Sequence, residues 1–152
     1  MRIQFPRALK IEPLEPYRLR VAWSTGETLE VDLAKVLHGN QTLAHVLDPA
    51  VFARVHTADH GTSVEWEDSE LGADNVYAWT REQMGEASHE MFFEWMRRHD
   101  LDLELAAGAL GMSRRAIAYY RSGRKPIPRH VWLACLGWES LPPAVRRGQR
   151  AA

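Results

Sequence analysis

The chain of 152 residues carries 19 Lys+Arg against 20 Asp+Glu, a formal net charge of −1, with 45% hydrophobic and 26% charged residues. These are globular values, which exclude a low-complexity or uniformly charged polymer, and the single cysteine, Cys135, excludes an internal disulfide and a cysteine-rich metal knuckle. No apolar run approaches bilayer-spanning length and the first residues lack the apolar core of a secretion signal, so a cytoplasmic protein without a membrane partner is expected.

In chain order, the segments ALKIEPLE, YRLRVAWS and ETLEVDL alternate apolar and polar side chains at period two, separated by turn chemistry at Glu15-Pro16 and at Ser24-Thr25-Gly26-Glu27. Leu19, Val21 and Trp23 share one face of the second segment, and Leu29, Val31 and Leu33 one face of the third. This predicts a three-stranded antiparallel meander that buries one side. Leu43 to Val55 has helical spacing broken at Asp48-Pro49, where Asp48 can cap a new short helix and proline suits its first turn. Short strands are predicted around Ala53 to Thr57 and Ser63 to Trp66, and EDSELGADNVY reads as an acidic turn region. Beyond Thr80 to Gly85 the period becomes helical. Ser88 is an N-cap candidate for a helix to about Arg98, with Phe92, Trp95 and Met96 on its inner face.

Asp102 can cap a helix through Leu110, Gly111 can end it, and Ser113 can cap a second helix through about Arg121. Ile117 and Tyr120 would face inward, leaving Arg114, Arg115, Ala118 and Tyr119 outward. Pro126 and Pro128 stop that helix and launch another near Arg129, with Val131, Ala134, Cys135 and Trp138 as its apolar stripe. The predicted fold class is therefore α+β: residues 1–84 an antiparallel β-meander with short helices, 85–141 an all-α bundle, and 142–152 a basic tail.

Charge is divided along the same line. Residues 1–85 hold 8 Lys+Arg and 13 Asp+Glu, a net −5, whereas residues 86–152 hold 11 and 7, a net +4. From Ser113 onward nine Lys+Arg face the lone Glu139, a local +8. Such separation points to an anionic partner for one part of the protein.

The helix pair resembles the helix-turn-helix of the phage-repressor/Cro-like family. The residues that carry the likeness are Ala106-Ala107, Gly111-Met112-Ser113 and Ser122-Gly123-Arg124-Lys125-Pro126. In that family the second helix enters the major groove of DNA. The resemblance therefore implies base contacts from Ser113, Arg114, Arg115 and Tyr119, and phosphate contacts from Arg121, Arg124, Lys125 and Arg129. Tyr119 could equally remain at the surface. Arg121 stands where the family often has glutamate, and either pairs with a carboxylate such as Glu94 or meets a phosphate. Leu103 replaces a frequent glutamine, which implies one contact fewer. The N-terminal PRALKIEPLEPYRLRVAWSTGETLEVDL, with DPAVFARV and WEDSELGADNVYAW, is similar to the bacterial domain-of-unknown-function family 2442, which also occurs fused to such a helix-turn-helix. Together the two resemblances cover residues 6 to 140.

The function expected from the sequence is DNA-binding transcriptional regulation, with double-stranded DNA as partner and a homodimer as the binding species. An antitoxin-like module, whose acidic N-terminal part masks a toxin, is the alternative. No cofactor, metal or catalytic activity is expected. His56 and His60 flank a turn rather than share a helix face, Glu65, Glu67, Asp68 and Glu70 have no nucleophile beside them, and no phosphate-binding glycine loop is present.

Overall fold

The computed structural model describes residues 4–150, with side chains through residue 146. The chain divides into two compact units, one formed by Phe5–Met84 and the other by the residues from Gly85 onward.

In the first unit, β1 (Ala8–Leu14), β2 (Arg18–Trp23) and β3 (Thr28–Asp32) form an antiparallel sheet in that order. Leu19 pairs with Val31 and Val21 with Leu29, so the apolar alternation of both strands falls on one side. Leu19, Val21, Trp23 and Val31 are buried there with Leu33. The other side carries exposed ion pairs, Arg20 to Glu12 at 2.8 Å and Arg18 and Arg20 to Glu30 at 2.6 and 3.0 Å. Exposed pairs of this kind add little stability.

After α1 (Ala34–His38), a 3-10 helix (Gln41–Leu47) and α2 (Pro49–Phe52) meet at Asp48, whose carboxylate accepts the Ala50 N–H at 2.9 Å. A second antiparallel sheet follows, with β4 (His56–Thr57), β5 (Ser63–Trp66) and β6 (Ser69–Gly72). Its β4–β5 turn sits against the start of β1: the Ala8 N–H donates to the Gly61 carbonyl at 2.8 Å, and a Cβ on Gly61 would lie 2.5 Å from the Ala8 carbonyl oxygen. With φ at +68° as well, that position requires glycine.

The acidic stretch departs from its predicted turn character. It supplies β6 and then α3 (Ala73–Gln83), eleven residues long. Two features hide this helix in the sequence. Gly72 begins it without a side-chain cap, and its buried face includes Thr80 and Arg81 beside Ala73, Val76, Tyr77 and Ala78. Arg81 is accommodated because it donates to the Tyr77 hydroxyl at 2.9 and 3.2 Å and pairs with Glu27. Burial alone would push the Glu27 carboxyl up, but hydrogen bonds from Thr25, Arg81 and Tyr77 outweigh it and hold the group below its ordinary range.

The second unit is helical. α4 (His89–Arg98) starts at Ser88, which accepts the Met91 N–H at 3.2 Å. α5 (Leu103–Leu110) is capped by Asp102 and ends at Gly111, whose φ is +66°. α6 (Arg114–Ser122) begins at Ser113 and ends at Gly123 with φ at +76°. α7 (Arg129–Glu139) follows Pro128. The core joins Phe92, Trp95 and Met96 of α4 to Ala106, Ile117, Val131, Cys135 and Trp138. Trp95 donates to the Cys135 carbonyl at 3.1 Å and stands edge-on to Trp138 at 5.5 Å.

Two expectations change in this unit. Ala134 is exposed and lies off the buried stripe, as do Leu133 and Leu136. Residues 143–150, expected within a basic tail, form α8 (Pro143–Arg150): Pro143 occupies the first turn, where proline's fixed φ suits a helix, and Arg146 lies over the Trp138 ring at 5.3 Å. Positions 151 and 152 lie outside the described residues.

Ile117 tests this packing. Ile117→Ala should lower stability of the second unit by about 2–5 kcal/mol in chemical denaturation, the range for emptying a buried aliphatic site. Leu133→Ala, on the exposed side of α7, should change it by less than about 0.5 kcal/mol.

Candidate functional site

Ile117 is the one fully buried residue of α6, and Tyr120, three residues on, is half-buried against Phe92 with ring centroids 5.9 Å apart. That inward stripe turns Ser113, Arg114 and Arg115 to solvent and leaves Tyr119 half-exposed. The start of α6 is set by Ser113, whose hydroxyl oxygen accepts the Ala116 N–H at 3.1 Å. Its first turn contains no acidic residue and two arginines, where the helix dipole favours anions over cations. The same end of the helix presents its unsatisfied N–H groups, so every fixed charge and dipole there has the sign that attracts an anion.

At the other end, the left-handed conformation of Gly123 reverses the chain. The Lys125 N–H reaches back to the Tyr119 carbonyl at 3.4 Å and the Arg124 N–H to the Ser122 hydroxyl at 3.4 Å. This return brings three cations around one ring. The Arg124 and Arg115 guanidinium carbons lie 4.8 and 5.5 Å from the Tyr119 centroid, and the Lys125 ammonium 4.9 Å. Arg115 also donates through Nε to the Tyr119 hydroxyl at 2.8 Å. That hydrogen bond, with the nearby charges of Arg115, Arg124 and Lys125, lowers the Tyr119 phenol from its ordinary value. Beside the ring is an open concavity of about 450 Å³ lined by Ser113, Arg115, Ala116, Tyr119, Tyr120 and Lys125.

The charge at this surface is not neutralised by the chain's own carboxylates. Among the described residues, Arg114, Arg115, Arg121, Arg124, Lys125 and Arg129 enter no ion pair. Glu139, the lone acid after Ser113, is taken by Arg98 and by His99, the latter at 2.8 Å. Burial pushes its carboxyl up, but the hydrogen bonds from Arg98 and His99 prevail and hold it below the usual range.

The predicted residues therefore fall into distinct positions. Ser113, Arg115, Tyr119 and Lys125 meet around the concavity, and Arg124 covers the same ring. Arg114 is exposed at the head of α6, and Arg129 opens α7. Arg121 makes no pair with Glu94, which is held by Arg97 at 2.6 Å; its Nε is buried and has no hydrogen-bond partner among the described residues. The sequence reading missed Tyr120 and Ala116 as lining residues. Their spacing from Ser113, seven residues for Tyr120 and three for Ala116, is the signal that could have found them. Cys135 is buried in the core, where burial pushes its thiol up to about 12, far from a reactive thiolate.

Residues 8–82 match the family DUF2442, described as a protein of unknown function. The whole chain is similar to a crystal structure from Nitrosomonas europaea of a candidate DNA-binding protein. The two share 55% sequence identity and a TM-score of 0.87, over 94% of this chain and 97% of that one. No curated protein matches significantly.

The cation cluster has a spectroscopic consequence. In a pH titration followed by tyrosine absorbance, the wild type should contain a phenol that ionises below the ordinary value of about 10. Tyr119→Phe should remove that step and Arg115→Ala should move it upward; a Tyr119 that titrates at or above the ordinary value would contradict the geometry.

Proposed function

We propose that this chain, whose residues 8–82 match the DUF2442 family, binds duplex DNA through α6 and the turn after it, on the strength of the unpaired cations of its helical unit. The single observation that carries this reading is the surface from Ser113 to Arg129. Six arginine and lysine residues stand there without carboxylate partners among the described residues, two of them in the first turn of α6, where the helix start itself favours anions. A chain that merely needed solubility would gain nothing from cations set against a helix dipole. The similarity to the candidate DNA-binding protein of Nitrosomonas europaea supports the same reading.

In this proposal α5, the Gly111-Met112-Ser113 turn and α6 act as a Cro-like helix-turn-helix. The head of α6 lies in the major groove and offers arginine to guanine edges, while Arg121, Arg124, Lys125 and Arg129 neutralise phosphates. Two copies would read paired half-sites, since one helix of nine residues reaches few bases. The protein acts as a regulator of transcription, and the first unit serves sensing, docking or dimerisation.

Binding of labelled duplex by the wild type should weaken steeply with salt. Lys125→Ala should reduce the slope of log K against log salt by about one with little change in sequence preference. Arg114→Ala should cost about 1–3 kcal/mol on preferred sites and relax the preference. Duplex affinity that does not respond to salt would overturn the proposal.

A further inference from the structure

Sequence pattern places Ser113, Arg114, Arg115 and Tyr119 together as readers of bases, because all four lie on the outward side or at the start of one helix. Their side chains are not arranged as one set. An arginine that reads guanine extends outward and presents two N–H groups side by side to O6 and N7. Arg115 instead runs back along α6, spending its Nε–H on the Tyr119 hydroxyl at 2.8 Å. Its guanidinium is thereby committed to the side of the helix that Lys125 approaches from the returning turn.

Tyr119 is equally unsuited to reading a base. Its ring is already approached by three cations, at 4.8, 4.9 and 5.5 Å, and its oxygen already accepts a hydrogen bond. What remains at the concavity is a convergence of donors. The Ser113 oxygen accepts the Ala116 N–H, which leaves its O–H to donate, and the Tyr119 O–H is likewise left to donate. Arg115 and Lys125 line the same space, with their remaining N–H donors not claimed by any carboxylate among the described residues, and no carboxylate lines it. Several donors, two formal positive charges and no negative charge around an open hollow suit a tetrahedral phosphate oxyanion better than a flat base edge.

Resting on the duplex reading above, we infer that Ser113, Arg115, Tyr119 and Lys125 clamp one backbone phosphate, and that Arg114, not Arg115, addresses base edges. Tyr119 is a positioning residue here: its ring gathers the cations and its hydroxyl orients Arg115. Arg114, which makes no such contact among the described residues, stays available to the groove.

The test uses the full chain and a randomised duplex pool, with sequencing of the enriched duplexes and salt titration of binding to the unselected pool. Wild type and Arg115→Ala should enrich the same sequence, while Arg114→Ala should enrich a relaxed or altered one. Between about 50 and about 200 mM salt, Arg115→Ala should lose roughly three- to fourfold less affinity than the wild type, the change expected for one phosphate contact. Tyr119→Ala should follow Arg115→Ala, and retained thermal unfolding of each variant guards against a folding defect. A changed sequence preference in Arg115→Ala, or an unchanged salt slope, overturns the clamp while leaving duplex binding intact. Absence of salt-sensitive binding in the wild type sinks the duplex reading and the clamp together. Inorganic phosphate at constant ionic strength should displace the duplex better than chloride in the wild type and lose that advantage in Arg115→Ala; phosphate that binds in the hollow without displacing the duplex would assign the hollow to a free anion and overturn the backbone contact.

Discussion

The rotation of α6 about its own axis is set by one side chain. Ile117 is fully buried between α4 and α5, and with Tyr120 packed on Phe92 it leaves the helix one way to face. The outward position of Arg114 and Arg115, the approach of Tyr119 to the returning turn and the hollow beside it all follow from that orientation. Gly123 completes it. Only a residue at ease with positive φ lets the chain double back closely enough for Arg124 and Lys125 to reach the ring of Tyr119. The core thus holds little chemistry itself, yet it decides where the charge is shown.

That charge is costly to the isolated molecule. Two arginines in the first turn of α6 oppose the helix dipole, Arg129 does the same at the start of α7, and three cations crowd one aromatic ring. Cation–π contact offsets part of the repulsion at exposed sites, on the order of 0.5–1 kcal/mol each. Glu139, the lone acid after Ser113, is held elsewhere by Arg98 and His99. The first unit is built on the opposite plan, with Arg18, Arg20 and Arg81 each matched to a glutamate. Compensation in the first unit, and its absence among the described residues along the surface from Ser113 to Arg129, is the physical asymmetry on which the functional reading rests.

Much of this was legible before the structure. Period-two alternation located β1 to β3, and caps at Asp48, Ser88, Asp102 and Ser113 placed the helix starts, because capping and alternation are local rules that leave marks in single residues. α3 was not legible. Its inner face buries Thr80, whose hydroxyl donates to the Val76 carbonyl, and Arg81, whose partners Tyr77 and Glu27 are assembled by the fold, and the distance from Glu27 to Arg81 in sequence conceals their pairing. The same limit applies to the site. The i, i+4 spacing of Arg115 and Tyr119 can be read from the chain, but the arrival of Lys125 depends on how sharply Gly123 turns, and the lack of a partner for Arg121 depends on Glu94 being claimed by Arg97. Sequence named the cations; only geometry separated those gathered around Tyr119 from the one left free at the head of the helix.

The central claim is that the surface from Ser113 to Arg129 is where a duplex lands. Nuclear magnetic resonance of the isotope-labelled full chain, titrated with duplex DNA at low salt, addresses it residue by residue. The account predicts that the backbone and guanidinium signals of this segment move first and furthest, and that added salt returns them to their starting positions. Shifts concentrated within residues 8–82, or no shifts at low salt, would contradict it.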